Sequence, residues 1–156
     1  MQEKICCFTG HRIIAKKDIP FLMERIETLV LKLIREGTVV FRVGGALGFD
    51  TLAAQLLMKL RDEDGINLKI ILYCPFPDFI SRWTSKQQKE FYTLYPKYDG
   101  VVYSEQKGSR EAYLMRNRQM VDGAQFCIAY CIKEHSGTAY TIRYAEEQGV
   151  QVFWVP

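Results

Sequence analysis

Histidine is scarce in this chain. His11 and His135 are the only two, and neither has a ligand-spaced neighbour. Structural and catalytic metal sites draw on several His or Cys ligands at short spacings, so no metal is expected. The five cysteines are odd in number and contain no C-x-x-C pair. Cys6, Cys7, Cys74, Cys127 and Cys131 all fall in apolar, strand-like runs, which reads as reduced thiols acting as small hydrophobes. No apolar run approaches the roughly 18 residues of a bilayer span. The opening MQEKICCFTGH lacks the h-region of a signal peptide, so a cytoplasmic chain with no membrane partner is expected. Charge of one sign is not concentrated either. The net charge is +3, with no Lys/Arg cluster, which argues against nucleic acid as the partner.

What is present is an ordinary globular composition, 48% apolar and 25% charged. Its 156 residues suit one domain, 1–156. Six short apolar runs read as strands: Lys4–Thr9, Thr38–Gly44, Leu68–Cys74, Gly100–Ser104, Ala124–Cys131 and Val150–Val155. Most are continuous rather than alternating, as suits strands covered on both faces of a parallel sheet. Between them lie helical patterns. Leu22, Ile26, Leu29, Val30, Leu33 and Ile34 form one stripe, with Asp18 as cap, Pro20 in the first turn and Gly37 after the end. Leu52, Leu56, Leu57 and Leu60 form a second. Further helices are expected at about Ile80–Tyr95, Glu111–Val121 and Thr138–Gln148. Strand and helix alternate throughout, which predicts right-handed crossovers and an open, three-layer α/β/α domain with a mostly parallel sheet of about six strands.

In such sheets ligands bind beyond the carboxyl ends of the strands. Three unusual loops fall there: Thr9-Gly10-His11-Arg12, Gly44-Gly45-Ala46-Leu47-Gly48-Phe49-Asp50, and Ser136-Gly137-Thr138. The glycine spacing is G-G-x-x-G, neither the dinucleotide fingerprint nor the P-loop. Helix starts leave N–H groups unpaired and carry partial positive charge. Glycine permits close approach, and Arg12 adds a forked donor suited to phosphate. A phosphate-bearing small molecule is therefore expected, its sugar near Gly45–Asp50 and its phosphate near Arg12 and Gly137.

Several residues admit two readings. Asp50 either caps the helix that follows or accepts from ribose hydroxyls. His11 can act as acid or base, or can brace its loop by a hydrogen bond. Arg116 and Asn117 either reach the ligand or form a polar helix face, and Met120 and Val121 read as core. Trp83 either stacks on a base or, with Phe79, Phe91, Tyr92 and Tyr95, covers the sheet. Arg42, inside an apolar strand, marks either the carboxyl end or an exposed edge.

FTGHR, GGALGFDTLAA, RNRQMVDGA and SGTAYTIRYAEEQG, in that order, resemble the YpsA-like family of the SLOG superfamily. These are Rossmann-like proteins that also include the LOG-type nucleotide hydrolases and the DNA-processing DprA proteins. The resemblance implies a Rossmann-like sheet and a site for nucleotide-derived ligands, ADP-ribose among them. It places Thr9, Gly10, His11 and Arg12 in the first motif. Gly44, Gly45, Gly48, Phe49 and Asp50 match the second, with Ala46 a further ligand-binding candidate in the same loop. Arg116, Asn117, Met120, Val121 and Asp122 fill the third, and Gly137 and Thr138 the last. Ser136 replaces a glycine, and Gln55 stands where many members have Glu. The LOG-type P-G-G-x-G-T-x-x-E signature is incomplete: HSGTAYTI has Thr141 in place of the acid, leaving Asp50 or Glu111 as substitute carboxylates. The expected function is thus a cytoplasmic nucleotide-binding or sensor protein. Nucleotide N-glycosidase activity, with Asp50 and His11 as catalytic candidates, is the first alternative, and single-strand handling the second. No cofactor is assigned, and an exposed helix face suits a homo-oligomer.

Overall fold

A computed structural model describes residues 3–155. It contains β1 (Lys4–Gly10), α1 (Ile19–Arg35), β2 (Thr38–Val43), α2 (Phe49–Asp62), β3 (Lys69–Cys74), α3 (Ser85–Leu94), β4 (Gly100–Tyr103), α4 (Arg110–Val121), β5 (Phe126–Tyr130), α5 (Gly137–Glu147) and β6 (Gln151–Trp154). The six strands form one sheet in the order β4-β3-β2-β1-β5-β6, every pair parallel. Strand ends fall within two residues of the sequence reading, and Cys131 lies just past β5.

Both faces of the sheet are covered, which is why the strands read as unbroken apolar runs. Cys6 and Phe8 of β1 point into one core with α1 and α2, whereas Cys7 points into another with Met120, Val121 and Ile142. Accordingly α1 packs on α2, and α4 on α5. The α1 stripe is buried as its spacing predicts, through Leu22, Ile26, Leu29, Val30 and Leu33. Each such side chain contributes about 1.5–3 kcal/mol. The chain steps outward from β1 through β4, then returns to the other side of β1 with β5. The loops after β1 and β5 therefore diverge to opposite faces, and the switch between these strands opens a crevice at their carboxyl ends.

Two local expectations are corrected, and a third is resolved. The helix expected from Ile80 begins at Ser85. Pro75 and Pro77 open a run of turns, and Thr84 caps the helix in a reciprocal box with Gln87. Asp18 makes no side-chain cap; a 3-10 turn, Lys16–Asp18, leads into α1 instead. Arg42 lies near the carboxyl end of β2, as one of its two readings has it, and not at a sheet edge, because β2 lies between β1 and β3. Its Nη1 donates to the carbonyls of Gln119 (3.2 Å), Met120 (3.0 Å) and Asp122 (2.6 Å), closing the carboxyl end of α4.

Candidate functional site

The crevice holds a cavity of about 470 Å³. The end of β1 supplies Thr9, Gly10, His11 and Arg12; the second loop supplies Ala46 and Asp50; α4 supplies Arg116 and Asn117; and Ser136, Gly137 and Thr138 open α5. Segments more than 120 residues apart thus meet in one hollow. Gly44, Gly45, Gly48 and Trp83 are not in its wall.

The glycine loop works by packing. Gly48 has φ +77°, and a Cβ there would overlap the Arg12 carbonyl. Gly10 lies under the Phe49 ring, and the Phe49 N–H donates to the His11 carbonyl at 3.1 Å. Gly45, at φ +69°, faces Leu72, Phe91 and Phe79 on the other side of the loop. Gly44 is buried, and its carbonyl accepts from Arg116 Nη1 at 2.6 Å. The expectation that Gly45 lines the cleft with Arg12 and Thr138 is therefore wrong: its missing side chain makes room for core, not ligand.

His11 sits in the wall as a brace. Its Nε2 accepts the Ile132 N–H at 2.8 Å, tying the ends of β1 and β5 together. Burial, then the nearby Lys133, pulls its pKa below the ordinary imidazole value. Both effects keep it neutral, with its acceptor nitrogen engaged.

Asp50 lies in the first turn of α2, and Gly48 is the N-cap; the helix starts one residue before Asp50, so the capping reading fails. The carboxylate is 8% exposed, and its Oδ2 accepts from the Ala46 N–H at 3.3 Å. Burial raises its pKa to about 6, against the lowering pull of Arg116, the Ala46 amide and Arg12. A folded-state pKa above the unfolded value means the native protein binds the extra proton between about pH 4 and pH 6. Stability from this group is thus present at low pH and lost as pH rises through that window. Relative to wild type, Asp50→Asn should gain about 2–3 kcal/mol between pH 4 and pH 7 in urea unfolding. A pH-independent difference between the two proteins would contradict the assignment.

Arg116 is the buried cation, 5% exposed. Besides Gly44 it reaches the Tyr73 carbonyl (3.3 Å) and, through Nε, Asn117 Oδ1 (2.9 Å). Desolvation lowers its pKa, opposed first by Asp50. Ser136 caps α5: its Oγ accepts from the Ala139 N–H at 3.0 Å and donates to the Lys133 carbonyl at 3.2 Å. Nothing stands within 4 Å of a side chain built at Gly137, so the start of α5 is open to the cavity.

Arg110 and Tyr113, also in the wall, are absent from the sequence-based set. Helix α4 carries apolar residues on several sides, with Leu114 and Met115 exposed and Arg116 buried, so no stripe marked a face. The usable signal was the spacing of Tyr113, Arg116, Asn117 and Met120, which fall on one side of a helix. Glu111 is exposed and outside the wall, so it is no substitute acid. Asp122 is also elsewhere, accepting from the Tyr144 hydroxyl at 2.5 Å.

A family model described as the YspA SLOG family, short name YpsA, matches residues 7–151. The chain belongs to this SLOG family. Among curated proteins of similar sequence is UPF0398 protein BH1768 of Halalkalibacterium halodurans, 26% identical over 85 residues. That match covers 54% of this chain and 44% of the relative, so the chain spans less than half of its length. The SLOG fold also resembles the DNA processing protein A (DprA) of Streptococcus pneumoniae. The TM-score is 0.68 at 19% identity, covering 99% of this chain and half of that one. DprA of Helicobacter pylori gives a TM-score of 0.68 at 22% identity, over 98% of this chain and 65% of that one. At these identities the structural likeness fixes the Rossmann-like architecture alone. Among the described residues no helix is long and apolar enough to cross a membrane.

Proposed function

We propose that this SLOG protein binds a nucleotide or nucleotide-derived small molecule by its phosphate, in the cavity at the carboxyl edge of the sheet. One observation carries the reading. Arg12, Arg110 and Arg116 and the open start of α5 face a cavity in which, among the described residues, Asp50 is the only lining carboxylate. Forked guanidinium donors and helix-start amides complement a phosphate, and the three guanidinium groups outweigh the single Asp50 carboxylate. A screen of nucleotides and ADP-ribose at about 100-fold excess over Kd should raise the Tm by roughly 5–10 °C for a true ligand. Arg12→Ala should abolish that shift. A flat response to every phosphate-bearing compound would remove the proposal.

The same carboxyl supports a second reading, an N-glycosidase. A buried Asp50 titrating near 6 suits general acid–base work in the cavity. This reading requires release of free base from a nucleotide, lost in Asp50→Asn. The Helicobacter pylori DprA binds single-stranded DNA, which supports a third reading against the charge-based expectation: single-strand binding at this edge. The exposed Arg12, Arg82 and Arg110 lie around the adjoining hollows and would supply backbone contacts. Strand binding would weaken steeply with salt.

A further inference from the structure

A second hollow of about 610 Å³ adjoins the first, and the two share Arg12 and Tyr113 in their walls. Its lining differs in kind. The main cavity presents guanidinium groups, hydroxyls and a helix start, whereas this annex presents Phe76, Phe79, Trp83 and Tyr113, with Arg82 beside them. The rings are held in place. Phe76 meets Tyr113 edge-on with centroids 5.6 Å apart, and Phe79 meets Trp83 likewise at 5.6 Å. The main chain beneath Trp83 is fixed as well: its backbone N–H donates to the Ile80 carbonyl at 2.9 Å, and its backbone carbonyl accepts from Gln88 Nε2 at 3.0 Å. Yet all four rings are only half-buried, so fixed aromatic surface faces the opening. Arg12 stands over the Tyr113 ring at 5.8 Å, on the partition between the two hollows.

We infer that the annex is the base subsite of the same ligand. A planar base stacks among Trp83, Phe76 and Tyr113, while Arg12 holds the phosphate that joins it to the main cavity. This rests on the nucleotide reading above and adds where the base lies and what recognises it. Preset rings stack a base at little cost in ordering, and they tolerate any base because each has a π face. Discrimination between bases is accordingly weak, and discrimination between a nucleotide and its base-free sugar phosphate is strong.

Trp154, exposed on β6, is the only other tryptophan, so in Trp154→Phe selective tryptophan excitation reports on Trp83 alone. Titration of this protein with ribose 5-phosphate, AMP and ADP-ribose should show quenching by the two base-bearing compounds alone. AMP should bind roughly tenfold more tightly than ribose 5-phosphate. Trp83→Ala should cancel that advantage and leave ribose 5-phosphate binding unchanged, which also reports that the variant is folded. Equal binding of AMP and ribose 5-phosphate, with Trp83 emission unmoved, would overturn the base subsite while leaving phosphate recognition standing. If none of the three compounds binds, the nucleotide reading and the subsite both fall.

Discussion

Replacing Arg116 with Met should cost about 2–4 kcal/mol of stability and erase ligand-induced stabilisation. The side chain is 5% exposed and donates to two main-chain carbonyls, Gly44 at the end of β2 and Tyr73 in β3. Methionine fills similar volume but leaves the buried Gly44 carbonyl unpaired, and charge-assisted bonds of this kind are worth about 1.5–3 kcal/mol. It also removes the largest favourable influence on the ionised Asp50. Asp50 should then titrate higher than in wild type, and the pH window in which stability declines should move upward. Arg116→Lys should recover part of the loss, since both carbonyls accept from the single Nη1 and an ammonium has a donor for each, while the Nε bond to Asn117 is lost. Urea midpoints at pH 5 and pH 7 check both effects. A midpoint for Arg116→Met close to wild type at both pH values would show that the guanidinium has no structural role.

The second large effect is expected at Gly48. With φ +77° and the Arg12 main chain inside the space a Cβ would need, Gly48→Ala combines backbone strain with a clash that no side-chain rotation relieves. The positive φ alone costs about 1–2 kcal/mol, and the clash should bring the total to about 3 kcal/mol or more. That is a large fraction of the 5–15 kcal/mol typical of a domain. Gly149 is the matched control. Its φ is +78°, with nothing within 4 Å of the added carbon, so Gly149→Ala should cost only about 1 kcal/mol. Similar urea midpoints for the two variants would mean that crowding at Gly48 carries no weight.

These two positions illustrate what the sequence made legible. The sheet was readable because burial on both faces leaves unbroken runs such as KIILYC, and the α1 stripe because one buried side repeats at helical spacing. The convergence of Arg12 with Gly137 and Thr138 followed from parallel topology, which gathers every loop after a strand on one edge. The role of the G-G-x-x-G loop did not follow. Glycine letters look the same whether the missing side chain admits a phosphate or, as at Gly45, a leucine and two phenylalanine rings. Arg42 was opaque for a related reason. A charged residue in a strand announces a need for partners, but its partners are carbonyls 77 to 80 residues away on α4. Trp83 fell between its two readings: it packs on Phe79 and Phe91 yet keeps part of its surface in the annex.

The seating of Phe49 has a mechanical result. Its ring lies over Gly10, its amide is tied to His11, and the preceding Gly48 is wedged beneath Arg12. The first two loops are thereby clasped into one unit that neither can leave alone. The facing wall is tied down by other means: the Glu105 N–H donates to the Pro75 carbonyl at 2.9 Å, and Phe76 of the turns after β3 meets Tyr113 of α4 edge-on at 5.6 Å. A ligand therefore enters between two preformed jaws, and the gap between them sets how much can be held beside the anion.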